Sequence, residues 1–248
     1  MRAVCLLASA GAALIAVPAA AAPARHAPAR YAPAQHAPAQ NATGARDWSR
    51  TVVATPEGGF RMGNPGAKVK LVEYGSLTCS HCARFAHEGV AGLVRDHVRT
   101  GRTSYEYRNF VLNGIDVAAS ILARCAGAPG FFRIVGAVYA GQESWLRKTG
   151  AVSPAVQAQL EAMPTQQRLA RIAQIAGLGQ YAALGGVTPA RANACLADKS
   201  GLDRLTHMYE AGASQYAIEG TPTFLINGAK ADANTWAGLE PLIVQAGG

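Results

Sequence analysis

Cys79-Ser80-His81-Cys82 places two thiols three positions apart, with a serine and a histidine between them. Thiols at this spacing can close a small disulfide, supply half of a zinc site or stay inert. At a helix start, the first thiol meets unsatisfied backbone N–H groups and the positive end of the helix dipole, and both favour its thiolate. Cys79 is then the nucleophile, and Cys82, one turn deeper, the resolving thiol. His81 can add a charge or a hydrogen bond to the Cys79 thiolate without helping the disulfide form, and stabilising only the reduced state makes the disulfide a better oxidant. If helix and histidine together lowered the thiol pKa by ~3 units, the gain would be ~4 kcal/mol, on the order of 90 mV for a two-electron couple. The alternative for His81 is a solvent-facing helix residue.

Glu73 stands in an apolar stretch six residues before Cys79. A carboxylate inside a strand pays desolvation unless it is neutralised or has a proton partner, so a buried Glu73 under the pair can take the Cys82 proton during exchange. Alternatively Glu73 ends the strand and reaches solvent. A zinc site would need a second ligand pair, yet Cys125 and Cys195 stand 70 positions apart with no close Cys or His neighbour. They are expected to form a disulfide within a helical block, closing a loop worth up to ~4 kcal/mol in the chain-entropy model; two inert thiols are the competing picture. No cofactor and no metal are called for. His87, His97 and His207 are isolated and read as structural or exposed, and Phe131, Phe132, Tyr139 and Trp145 as core or surface of the helical block.

The chain's start assigns a compartment. Arg2 precedes an apolar run from Ala3 to Val17, and Pro18-Ala19-Ala20-Ala21 offers small residues for cleavage after Ala21, so 1–21 reads as a signal peptide. The run is short for a bilayer-spanning helix. Export to the periplasm follows, and it leaves four cysteines after Cys5 is removed, an even number suited to an oxidising compartment. Residues 22–46 hold Ala-Pro-Ala repeats and read as a semi-extended spacer, with His26 and His36 as solvated tail residues. Arg2, Arg25, Arg30 and Arg46 account for four of the 23 basic residues; the remaining 19 face 15 acidic ones, too small an excess to argue for nucleic acid.

Elements must hold these residues in place, and with 248 residues that are half hydrophobic a sizeable core is available. Val69 to Tyr74 reads as a buried strand; Thr78 is expected to cap a helix from Cys79 to about Arg99; Thr103 to Leu112 reads as a second strand. Between Ile115 and Ala217 five or six short helices are expected, with starts at Ser153-Pro154 and Thr188-Pro189. Thr223 to Ile226 with Asn227-Gly228 reads as a strand entering a hairpin, and a last helix near Thr235 to Gln245 is expected to break or restart at Pro241. The domain plan is 47–114, a helical insertion over 115–217, and 218–248.

Glu73-Tyr74-Gly75-Ser76-Leu77-Thr78-Cys79-Ser80-His81-Cys82, with Gly220-Thr221-Pro222-Thr223-Phe224-Leu225-Ile226-Asn227-Gly228 nearly 140 residues later and Gly63-Asn64-Pro65-Gly66-Ala67 upstream, resembles the DsbA-like branch of the thioredoxin superfamily. The resemblance covers roughly Asp47 to Gly248. It implies an α/β thioredoxin fold with an inserted all-helical domain, and oxidation of dithiols in reduced, unfolded exported proteins. It also implies a cis Thr221-Pro222 bond facing the sulfurs, a substrate strand pairing at Thr221, and a membrane quinone-linked DsbB-type reoxidant. Ser80 departs from the proline, and Thr221 from the valine, of the best-known members, and both positions tune redox poise. Two rivals stand: a reductase or isomerase on the same fold, commonly oligomeric through an added N-terminal domain, and a non-catalytic metal-binding or adaptor protein. The Pro-rich spacer lacks an apolar heptad, which favours a monomeric oxidase.

Overall fold

The computed structural model describes residues 46–248; the signal peptide, all but the last residue of the spacer, and Cys5 lie outside the described residues. After a short 3-10 turn at Trp48–Arg50 come β1 (Val52–Ala54), β2 (Phe60–Gly63) and β3 (Val69–Gly75), then α1 (Ser80–Glu88), a single turn α2 (Val90–Gly92), a π-helical segment at Leu93–Val98, and β4 (Thr103–Asn109). Six strands form one mixed sheet in the order β1-β2-β4-β3-β5-β6, with β5 at Thr223–Ile226 and β6 at Ala229–Lys230. β3 and β4 are parallel, joined by the α1 crossover, and the other neighbours are antiparallel. With β4 on one side and β5 on the other, β3 is buried on both faces, which explains its near-continuous apolar run. Alternation sends Val69, Leu71 and Glu73 toward one face, while Val72 and Tyr74 on the other meet Phe110, Ile218 and Leu225 in a separate small core.

Eight helices lie between β4 and β5: α3 (Gly114–Cys125), α4 (Gly127–Ala140), α5 (Gln142–Gly150), α6 (Pro154–Ala162), α7 (Thr165–Ala176), α8 (Gly179–Leu184), α9 (Pro189–Ala197) and α10 (Lys199–Tyr216). The sequence suggests five or six, because glycine cuts the block more often than the periodicity shows. Gly141 separates α4 from α5, and Gly177 takes the left-handed conformation (φ 70°) that closes α7. Ser153 and Thr188 cap α6 and α9 through their side chains, with proline in the first turn, as expected. α11 (Trp236–Gln245), capped by Thr235, continues through Pro241 rather than breaking there.

Two further expectations are corrected. The helix expected from Cys79 to Arg99 is three pieces, and Cys79 itself, not Thr78, is the N-cap. The first break falls at Gly89, where a Cβ would lie 2.9 Å from the Trp236 side chain, so the close approach of α11 demands glycine. β4 stops at Asn109 because the Leu112 N–H turns away to the Asp116 carboxylate (3.0 Å) and Asn113 caps α3. β1 and β2, three and four residues long, are too short to show a strand period in the sequence. No helix among the described residues is long and apolar enough to cross a membrane.

Candidate active site

The carboxyl end of β3 turns through Ser76-Leu77-Thr78 and delivers Cys79 to the start of α1. As N-cap, Cys79 has extended backbone (φ −79°, ψ 123°), and its carbonyl accepts the first helical bond, from the Ala83 N–H at 3.1 Å. Its sulfur is half-buried, and the thiol donates to the Thr221 carbonyl at 3.1 Å. Cys82, one turn on, is wholly buried.

Position makes the two thiols unequal. The Cys79 pKa falls from an ordinary 9.0 to about 5, first because the Cys82 thiol donates to its sulfur, with further help from the backbone N–H groups of Cys82 and His81 and with burial opposing. Cys82 moves the other way, well above the usual thiol range, because burial disfavours its charge and the Cys79 sulfur and Glu73 carboxylate lie close enough to repel it. Glu73 is buried in mid-strand and rises to about 8, driven by burial and restrained by the hydrogen bond from Tyr105. That bond engages Oε2; Oε1 has no partner, and Glu73 lines a cavity of about 480 Å³ whose wall also carries His87, Tyr105 and Arg133.

Thr221-Pro222 is cis, with Pro222 buried. The Thr221 hydroxyl is buried and finds no partner while Cys79 is a thiol; an ionised sulfur offers it one. Cys79, Cys82, Glu73 and Thr221 therefore share one locality. His81 contributes its backbone N–H to the sulfur, while its imidazole is exposed and makes no hydrogen bond among the described residues. Cys125 and Cys195 are elsewhere, bonded to each other between α3 and α9 with Cα atoms 6.0 Å apart.

With that geometry, residues 55–245 match the family model described as thioredoxin. The chain belongs to the thioredoxin family. Within it, the solved protein-disulfide isomerase from Novosphingobium aromaticivorans is 30% identical, covers 75% of this chain and 95% of its own, and superposes with a TM-score of 0.69. Wolbachia pipientis alpha-DsbA1, at 22% identity, TM-score 0.59 and coverage of 78% and 92%, shows the same fold with its helical insertion. A Rickettsia bellii (strain RML369-C) protein named "Putative protein-disulfide oxidoreductase" is 29% identical over 176 residues, 69% of this chain and 58% of its own length. The chain spans about half the length of the curated relatives it matches. The DsbA-like resemblance and the thioredoxin fold with inserted helices are thus borne out.

Several residues of this thioredoxin-family site escape sequence reasoning. Asp116 is fully buried, accepting from Ser76 Oγ (2.5 Å), Leu77 N (3.0 Å), Leu112 N (3.0 Å) and Ser120 Oγ (3.3 Å). Burial pushes it up to about 6 against those four donors. Tyr139 donates to the Ser76 carbonyl, and Gln142 to the carbonyls of Leu77 and Cys79. In sequence, Asp116 is an ordinary first-turn acid favoured by the helix dipole, and nothing near Gln142 or Tyr139 sets them apart.

Proposed function

We propose that the chain is an exported dithiol oxidase that donates its Cys79–Cys82 disulfide to reduced, unfolded proteins after they cross a membrane. The observation that carries this is the inequality of the thiols: an acidic, half-exposed Cys79 beside a buried, neutral Cys82 stabilises the reduced pair and makes its disulfide eager to accept electrons. In the first step a substrate thiolate attacks the Cys79 sulfur. The Cys79–Cys82 bond breaks with its electron pair on Cys82, and Glu73, protonated at neutral pH, passes its proton to that sulfur. The substrate's second thiol, deprotonated to solvent, attacks the substrate sulfur of the mixed disulfide and expels Cys79 as a stable thiolate. Two electrons have moved from substrate to enzyme, and Glu73 regains a proton through its cavity.

In reoxidation the proton runs backward, and Glu73 accepts it from Cys82. The oxidant is a membrane quinone-linked partner of the DsbB type, the compartment is the periplasm, and the protein acts as a monomer. An open cleft of about 400 Å³ beside Thr221 and Pro222 seats the extended substrate chain, with the Thr221 backbone as its pairing edge. His81 assists the thiolate, and the Cys125–Cys195 disulfide braces the insertion.

A second reading, isomerase or reductase, is favoured by the name of the Novosphingobium relative. Equilibration of the Cys79/Cys82 couple with glutathione, with Cys79 titrated in a Cys82→Ser variant, decides between them. An oxidising couple with an acidic Cys79 supports the oxidase; a reducing, thioredoxin-like couple with a near-ordinary pKa rules it out.

A further inference from the structure

The loop before the nucleophile is held by side chains from outside its own sheet. Leu77 is gripped on both of its polar groups: its N–H by Asp116 of α3 at 3.0 Å, and its C=O by the Gln142 amide at the start of α5, at 2.9 Å. Ser76 is held at its hydroxyl by Asp116 and at its carbonyl by the Tyr139 hydroxyl of α4 (3.0 Å), which is itself paired with the Tyr107 hydroxyl at 2.7 Å. Gln142 reaches one step further and donates to the Cys79 carbonyl at 3.0 Å. All three side chains are buried.

A buried loop must satisfy its polar groups, and water could do so only if the site were open. Here the partners come from three consecutive helices and converge on the residues that fix Cys79. The Cys79 carbonyl that Gln142 holds is the same atom that accepts the first bond of α1, and the Cys79 N–H is tied back to the Ser76 carbonyl that Tyr139 holds, at 3.2 Å. These grips hold the residues from which the first turn starts, the turn whose N–H groups at His81 and Cys82 meet the Cys79 sulfur.

We infer that Asp116, Tyr139 and Gln142 form a positioning cradle through which the inserted helices fix the alignment of the α1 N-terminus on the Cys79 sulfur, and thereby the redox equilibrium of the pair. The inference rests on the oxidoreductase reading, and none of the three residues touches the reacting sulfurs through its side chain.

Gln142→Leu and Tyr139→Phe test it, because both leave the charge unchanged, so any shift reports alignment rather than Coulomb effects. In the full chain, each is combined with Cys82→Ser to titrate the Cys79 thiolate by its ultraviolet absorbance, and each is separately equilibrated with glutathione. Gln142→Leu is expected to raise the Cys79 titration by about half a unit or more and to shift the equilibrium about threefold or more toward the disulfide. Tyr139→Phe should move both less, in the same direction. Thermal melts accompany every variant. Lower melting temperatures with an unmoved titration and equilibrium overturn the inference and leave the three residues as packing alone. If Gln142→Leu does not fold, Tyr139→Phe, which removes a single hydroxyl, carries the test. The comparison is always with the wild type, so a wild-type couple that proves reducing defeats the oxidase reading while the displacement of the variants still judges the cradle.

Discussion

Cys79–Cys82 and Cys125–Cys195 are two pairs of the same residue in one small protein, and their surroundings point them in opposite redox directions. Cys79 caps the N-terminus of α1, where the dipole and free N–H groups favour a thiolate. Cys125 is the last residue of α3, and Cys195 lies in the last turn of α9, where the negative dipole end disfavours one. The first pair is three positions apart in sequence, with Cys79 half-exposed; the second closes a separation of 70 and is bonded. A pair whose reduced form is stabilised gives up its disulfide readily, and a pair whose thiolates are disfavoured keeps it. Cysteine count cannot make that distinction; helix polarity can.

The sharpest way to break the comparison is to remove each pair. Cys79→Ser should abolish thiol oxidation, since the Cys79–Cys82 disulfide can no longer form and the remaining Cys82 thiol is wholly buried. Cys125→Ala with Cys195→Ala should leave thiol oxidation near wild type and instead lower unfolding stability by up to ~4 kcal/mol, the loop-closure limit for so long a loop. Chemical denaturation alongside a dithiol-peptide oxidation assay reads both. Lost turnover in a folded double variant would show that the second pair takes part in exchange, and the division drawn between the pairs would fall.

The same contrast shows what was legible in the sequence. Cys79, Cys82 and Glu73 were readable because each is an anomaly in its local pattern, a thiol pair at fixed spacing and a carboxylate in an apolar strand; the Thr221-Pro222 loop was readable only through the DsbA-like resemblance. β3, β5 and the Asn227-Gly228 turn, where both residues take positive φ, followed from local pattern as well. Asp116, Tyr139 and Gln142 were not readable, because their role depends on which carbonyl or N–H a distant loop places opposite them. Their hydrogen bonds to the active-site loop span 39 to 65 residues, among them those to Leu77 from Asp116 and Gln142, and no periodicity encodes such contacts. The helix break at Gly89 was hidden for a related reason: glycine is needed there only because Trp236, from the far end of the chain, packs against it.

Glu73→Gln probes the buried side of the active pair. Burial raises the Glu73 pKa from 4.5 to about 8, so the carboxyl's stabilising contribution is full below 4.5 and is lost as pH rises through 8. Glutamine cannot ionise and carries no such loss. Relative to the variant, the reduced wild type should therefore weaken between pH 5 and 9, by an amount on the order of a few kcal/mol at the alkaline end. On the proposed mechanism, in which Glu73 carries the Cys82 proton, turnover should fall about tenfold or more. Denaturant midpoints across that pH range, measured on both proteins, check the first expectation. Parallel pH curves would mean that Glu73 is solvated in solution and is not the proton carrier.

The smallest expected effect belongs to His81, and it separates charge from backbone. The His81 N–H serves the Cys79 sulfur from the first turn of α1, and alanine supplies the same N–H. His81→Ala thus removes only an imidazole that is exposed to solvent, where a single charge is worth about 1 kcal/mol or less. The Cys79 titration, read in the Cys82→Ser background, should rise by less than about one unit, and the glutathione equilibrium should move by less than about tenfold toward the disulfide. A rise of two units or more would mean that the ring swings onto the sulfur once Cys79 ionises. Thiolate stabilisation would then lie mainly with a side chain that any substitution can remove, and the difference between the two cysteine pairs would owe less to helix polarity than the fold suggests.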